Sequence, residues 1–253
     1  MSTIVATDLL PTTLSSEELR AAARLAGARA LPAFAPGWAQ DELGIADAVA
    51  LRVLLARGLA EVHDPLDVTL TAEARSALGP LLDPYAVVEA VRETQRFLAA
   101  ESADGVVVAE ERLPSVWYLR RAARPVERAL LSTVDIWLDE LTVAAAAPGQ
   151  RMVVEAGTLA RAEVLLAQGG AATLPGMLAE LLSAVRARCT VRTLRQHGLS
   201  LRAASAVVWL DAGAAGPWLV QPHGGTGDQP LALVATDAAT LRTTLADLFE
   251  ESP

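Results

Sequence analysis

Of the 253 residues not one is lysine, so the 21 basic residues are all arginine. That absence removes whole classes of chemistry. No Schiff-base lysine, no pyridoxal-phosphate anchor and no phosphate-cradling P-loop lysine can exist here. Cysteine is nearly absent too: Cys189 stands alone, so no intrachain disulfide can form. Long apolar runs are missing although the mean hydropathy is +0.33. Arg, Asp or Glu interrupts every apolar stretch well short of the ~20 residues that a spanning helix needs, so no membrane insertion is expected. The first residues, Met1 to Asp8, lack a basic start and a sustained apolar stretch, and no signal peptide is expected. Together these features point to a cytoplasmic protein. Positive charge is scarce: the net charge is −9, which disfavours nucleic acid and anionic membranes as partners.

What the chain does hold is apolar side chains, 52% of the total, enough for a large core. Ser15 and Glu18 have the spacing of a capping box, with Leu14 and Leu19 placed as a hydrophobic staple, so a helix is expected to about Ala26, closing at Gly27. The aromatics of the loop 31–38, Phe34 and Trp38, are expected to fold back onto the core. Further helices are expected over about 39–57, with Leu51, Leu54 and Leu55 on one face, and over 72–82 with Thr71 as cap. The pattern then changes to period two. Strands are expected over 86–94, 96–100, 105–111 and 115–120, with turns at 103–105 and 113–115. Pro125 opens a long helix bearing Leu130, Val134, Trp137, Leu138 and Leu141 on one face. A small-residue linker, 144–149, lies near the midpoint.

The second half repeats the order. Helices are expected at 159–168, capped by Thr158 and stopped by Gly169-Gly170, and from Thr173-Leu174-Pro175 onward with Leu178, Leu181, Leu182 and Val185 inward. Strands follow at about 190–196, 204–210, 218–221 and 231–235, with hairpin loops at 211–216 and 223–228. A last helix from Asp237 buries Leu241, Leu245, Leu248 and Phe249. A unit of helices, meander and helix thus occurs twice, over about 14–143 and 150–251, as a repeat of pattern rather than of residues. Two such meanders can share one sheet. The expectation is an α+β fold: a central antiparallel sheet built from two pseudo-two-fold-related meanders and flanked by helical bundles, a single domain over residues 1–253.

No catalytic, cofactor or metal residue is expected. His63, His197 and His223 lie far apart, and with one cysteine a zinc site has no evident ligand set. His223-Gly224-Gly225-Thr226-Gly227 is like a glycine-rich oxyanion loop, but no Gly-x-Ser-x-Gly elbow accompanies it, and a hairpin loop is the expectation. Asp135, Asp139 and Glu140 fall on the solvent face of their helix. Cys189 reads as a small buried residue rather than a nucleophile. An alternative is a winged helix at 37–83 in a DNA-binding or ligand-sensing regulator. That stretch carries three arginines against eight acids, and a packing module fits it better.

Several stretches share an order with one known family. They are Arg57-Gly58-Leu59, Val68-Thr69-Leu70-Thr71, Leu81-Leu82-Asp83-Pro84 and Val87-Val88-Glu89-Ala90-Val91. The pair Val107-Val108-Ala109-Glu110-Glu111-Arg112 and Val116-Trp117-Tyr118-Leu119-Arg120 follows. Val207-Val208-Trp209-Leu210-Asp211, Gly216-Pro217-Trp218-Leu219-Val220 and the stretch from Leu241 to Leu248 complete the set. In this order, over roughly residues 14–251, the chain resembles the EspG family of type VII (ESX) secretion chaperones of actinobacteria. The resemblance implies an α+β fold and no enzymatic activity. It implies a chaperone that binds a secreted helical protein, PE/PPE-like or WXG100-like, before export. It implies client contacts in a loop of the first meander, matched by about Gln95 to Asp104, with the sheet and the C-terminal bundle. A large family-like insertion in that loop is missing here. The partner-binding residues so implied are Gln95, Arg96, Phe97, Leu98, Glu101, Asp104, Trp209 and Trp218. A homodimer is left open.

Overall fold

The computed structural model describes residues 9–34, 42–64, 67–141, 149–155, 157–159, 161–162, 176–197, 200–222 and 230–250. Trp38, the linker 144–148, most of the expected helix 159–168, Gly169-Gly170, Thr173 to Pro175, His223 with its glycine-rich loop, and the Phe249 side chain lie outside the described residues.

Capping chemistry sets where the helices begin. Helix α1, Ser16–Leu25, starts with the expected capping box: Ser15 Oγ accepts from the Glu18 amide at 3.1 Å, and Glu18 Oε2 accepts from the Ser15 amide at 2.8 Å. Both staple residues, Leu14 and Leu19, are buried. Helix α2 spans Leu43–Ala56 and helix α3 spans Ala72–Leu82, the latter capped by Thr71 as expected. On α2 the buried residues are Ala50 and Leu54, while Leu51 and Leu55 are only half-buried. Helices α4, Val126–Asp139, α5, Gly176–Ala184, and α6, Ala238–Glu250, follow later in the chain. Among the described residues no helix is long and apolar enough to cross a membrane.

Twelve strands are described: β1 (Thr12–Ser15), β2 (Ala60–Asp64), β3 (Asp67–Leu70), β4 (Ala86–Arg92), β5 (Gln95–Ser102), β6 (Gly105–Leu113), β7 (Val116–Ala122), β8 (Arg151–Val154), β9 (Ala187–His197), β10 (Ser200–Asp211), β11 (Pro217–Pro222) and β12 (Leu231–Ala235). Strands β2 and β3 form a small hairpin between α2 and α3. The other ten form one sheet in the order β1-β7-β6-β5-β4-β9-β10-β11-β12-β8. This order is a palindrome of roles. In each half a short strand precedes the helices, a four-stranded meander follows them, and the short strand pairs antiparallel with the last strand of that meander: β1 with β7, β8 with β12. The expected pair of pseudo-two-fold-related meanders is thus present, with two edge strands that the sequence pattern does not announce.

The chain divides into two compact units. One comprises Met1–Glu89, Gln95–Leu130 and Leu194–Arg202; the other comprises Ala90–Thr94, Leu131–Thr193 and Ala203–Pro253. In the first unit α1, α2 and α3 cover one face of the strands. Leu19, Leu54, Leu78 and Leu81 pack with Val87, Leu98, Val107, Ala109, Trp117 and Leu119. At the centre of this layer the Trp117 Nε1–H donates to Ser16 Oγ at 2.9 Å, and Phe34 meets the Trp117 ring edge-on at 5.0 Å, so this aromatic does fold back onto the core. Val106 to Ala109 are all buried, which marks a strand covered on both faces. In the second unit Leu178, Leu181 and Leu182 of α5 pack on Met152, Leu210, Trp218 and Leu233. There Arg242 of α6 pairs with Asp135 at 3.3 Å and with Asp139, both on α4.

Candidate partner-binding surface

The segment that the resemblance implies to be a client-binding loop is a strand, as its own residue pattern over 96–100 predicts. Gln95 to Ser102 is strand β5, and the turns lie outside it, at 93–94 and 103–104. The cause is its pairing: Phe97 to Ser102 pair in register with Glu110 back to Gly105, which gives these backbone groups ladder partners. Alternation then sends neighbouring residues to opposite faces. Leu98 joins the α1–α3 core with 1% of its surface exposed, whereas Gln95, Phe97 and Glu101 point to the other side.

The eight residues therefore do not gather into one site. Arg96 lies on the helix-covered side, its guanidinium 5.4 Å from the Trp117 ring centre, 3.5 Å from Glu111 and 3.3 Å from the Ala33 carbonyl. It clamps a loop to the core. Glu101 is buried at 7% exposure. One carboxylate oxygen accepts from the Tyr85 hydroxyl at 2.7 Å, and the other accepts from the Val126 amide at 2.9 Å. It thereby serves the first free amide of α4. Asp104 is exposed in the turn at the far end of β5. A Cβ added at Gly79 would stand 2.4 Å from Asp104 Oδ2, so that glycine makes room for the turn. Trp209 and Trp218 are both buried, at 0% and 4%. Leu210 pairs directly with Trp218, so Trp209, next to Leu210, is on the opposite face of the sheet.

What does come together is a row of side chains across the sheet of the first unit. Phe97 pairs with Glu110, Glu110 with Tyr118, and Tyr118 with Thr13, so four strands present these residues side by side on the face turned away from α1–α3. Phe97, Glu110 and Tyr118 are half-buried and Thr13 is exposed. Arg112 lies over the Tyr118 ring at 3.8 Å and stands 3.7 Å from Glu110. Beyond it Leu113 is 64% exposed. The row combines two aromatic rings with one acid and one base, a make-up suited to contact with another protein. Tyr118, Glu110 and Arg112 went unrecognised as surface residues in the sequence. The signal was present: Glu110 and Tyr118 fall on the polar side of strands whose alternate residues are Ala109, Leu119 and Trp117.

His63 Nε2 lies 3.0 Å from Thr69 Oγ1 and 3.4 Å from Glu61, His197 ends β9, and the two sit on different elements. Among the described residues no three His, Cys, Asp or Glu side chains cluster as metal ligands. Burial pushes the Cys189 thiol up to about 12, the opposite of what a nucleophile needs. Asp135, Asp139 and Glu140 are exposed, as expected for a solvent face, and pair with arginines.

No family model and no curated protein matches the sequence. Among solved structures the chain is similar to the Mycobacterium tuberculosis type VII secretion system chaperone EspG5, solved in complex with a PE25–PPE41 dimer. The match has a TM-score of 0.60 at 14% identity and covers 96% of each chain. The α+β fold expected from the EspG resemblance is the fold found, along essentially the whole chain.

Proposed function

We propose that this chain is a cytoplasmic, non-catalytic chaperone or adaptor that binds a secreted helical protein of the PE/PPE or WXG100 kind and keeps it soluble for export. The observation that carries this reading is the likeness to EspG5 over 96% of both chains, because that protein is a chaperone solved with its PE25–PPE41 partner. The sequence supports it from another side: the chain has no lysine, its one thiol is buried, and among the described residues no His, Cys, Asp or Glu side chains cluster as metal ligands.

The contact surface we assign to the client is the row Phe97–Glu110–Tyr118, with Gln95 beside it on the same strand face. Leu98, Glu101, Trp209 and Trp218 act from within, by holding the sheet and α4 in place. An apolar helix laid across Phe97 and Tyr118 would bury both rings, and aromatic anchors of this kind carry much of the energy in protein contacts. Co-expression with small helical export substrates encoded beside this gene, followed by size-exclusion chromatography, tests the reading. Co-elution is expected, and Phe97→Asp should lower retention by about tenfold or more with an unchanged circular-dichroism spectrum. No co-elution at micromolar concentration with any such protein would overturn it.

A further inference from the structure

Strand β1 ends the ten-stranded sheet, with β7 as its neighbour. An end strand offers a row of backbone N–H and C=O groups to which a further strand can add. Lysine commonly guards such edges, and this chain has none. Alternation decides which groups of β1 face outward. Ser16, directly after the strand, donates its N–H to the Ser115 carbonyl at 2.8 Å. Positions 12, 14 and 16 therefore bond toward β7, and Thr13 and Ser15 turn their backbone groups the other way.

An ion pair meets those outward groups. The Thr13 carbonyl accepts from Arg57 Nη1 at 2.9 Å, and the Ser15 amide donates to Glu18 Oε2 at 2.8 Å. The same Nη1 donates to Glu18 Oε1 at 3.0 Å, and Nη2 donates to Thr12 Oγ1 at 3.1 Å. Both side chains are placed by helix ends. Glu18 belongs to the capping box of α1, and Arg57 is the C-cap of α2, its amide bonded to the Val53 carbonyl at 2.9 Å. Charge-assisted bonds are the strong ones, and a forked guanidinium reaches several acceptors at once. The capping box is complete without Arg57; what the guanidinium adds is closure of the edge.

We propose that Arg57, backed by Glu18, keeps the β1 edge from adding a strand, and that the strand it excludes is β1 of a second copy. Register selects this occupant. Two β1 strands paired antiparallel about Leu14 set Thr13 against Ser15 of the second copy and Ser15 against its Thr13, so the outward groups of each strand match those of the other. The inference goes beyond the client reading and does not depend on it, because it rests on backbone groups at the end of the sheet and not on the side chains of the Phe97 row.

Sedimentation velocity of the full chain tests it. The wild type and Thr13→Pro should both sediment as monomers, since the Thr13 N–H faces away from β7 and its loss removes no ladder bond. Arg57→Met keeps the apolar stem and loses the fork, and it should move about half or more of the protein into a dimer at about 100 µM. Adding Thr13→Pro to Arg57→Met should return the monomer, a reversal that general loosening of the fold would not give. If Arg57→Met lacks a cooperative thermal transition, Arg57→Lys replaces it, with the same shift expected because an ammonium cannot span the three acceptors. An Arg57 variant that stays folded and monomeric overturns the proposal. So does a dimer that survives Thr13→Pro, and so does a wild-type dimer that Thr13→Pro dissolves, which would mean that the edge is open with Arg57 in place.

Discussion

Cys189 illustrates how burial decides the fate of a reactive side chain. It lies in β9 at 1% exposure, and desolvation pushes its thiol up to about 12 because the thiolate has no water around it. Arg92 pulls the other way and is outweighed. The folded value stands above the unfolded one, near 9.0, so stability from this group is intact below about pH 9 and is lost as pH rises toward 12. Iodoacetamide at pH 8 should leave the native protein unmodified and alkylate it only once denaturant is added, which mass spectrometry reads directly. Stoichiometric labelling of the native protein would contradict the burial. A small, buried cysteine was legible in the sequence because it sits among alternating apolar residues. Glu101 was not legible. Its partners, Tyr85 and the Val126 amide, are 16 and 25 residues away, and only the fold brings them together. A carboxylate at the end of an apolar strand reads as surface unless the helix end it serves can be placed.

At the level of elements, local signals located helix starts well and short strands badly. Ser15 and Thr71 were visible as caps, and Asp237 as a helix start, because a cap is an interaction over three residues. Strands β1 and β8 have four residues each, Thr12–Ser15 and Arg151–Val154, too few for alternation to stand out. Their identity comes from pairing with β7 and β12, which is non-local. The same limit explains Trp209 and Trp218: both were read as partner-binding, yet register puts them in cores on opposite faces. Asp237 offers a test at this scale. Its Oδ1 accepts from the Thr240 amide at 2.7 Å at the start of α6, and that bond holds the carboxyl below the ordinary aspartate range. A depressed folded value means that the stabilisation is full above about pH 4 and disappears as pH falls through the folded pKa. Asp237→Ala should therefore cost about 0.5–1 kcal/mol in denaturant melts at pH 7, the lower half of the range for caps because the group is exposed. The difference from wild type should shrink toward zero near pH 2–3. A cost that persists undiminished in acid would mean that α6 is started by something other than this carboxylate.

For the whole molecule, the recurrence of helices, four strands and a helix anticipated the palindromic sheet, since connections between sequential strands are short and neighbouring strands pair. Recurrence could not say which strand of one meander meets the other; the observed order, with β4 beside β9, makes the first strands of the two meanders the neighbours. The stretch 37–83 shows why order alone does not assign function. Helix α2, the β2–β3 hairpin and helix α3 follow one another as in a DNA-binding wing. Yet Leu54, Leu59, Leu70 and Leu78 are buried in the core under the strands. Of the three arginines present, Arg57 is engaged by Glu18 and by the Thr13 carbonyl. Phosphate attraction scales with the cations that replace condensed counterions, and here eight acids oppose three arginines within a chain of net charge −9. Duplex DNA should therefore show no retention in mobility shifts even at low ionic strength, where such attraction is strongest. Binding that weakens steeply as salt is added would mean that a cationic surface forms despite this balance, and it would move the α2–β2–β3–α3 segment from packing to recognition.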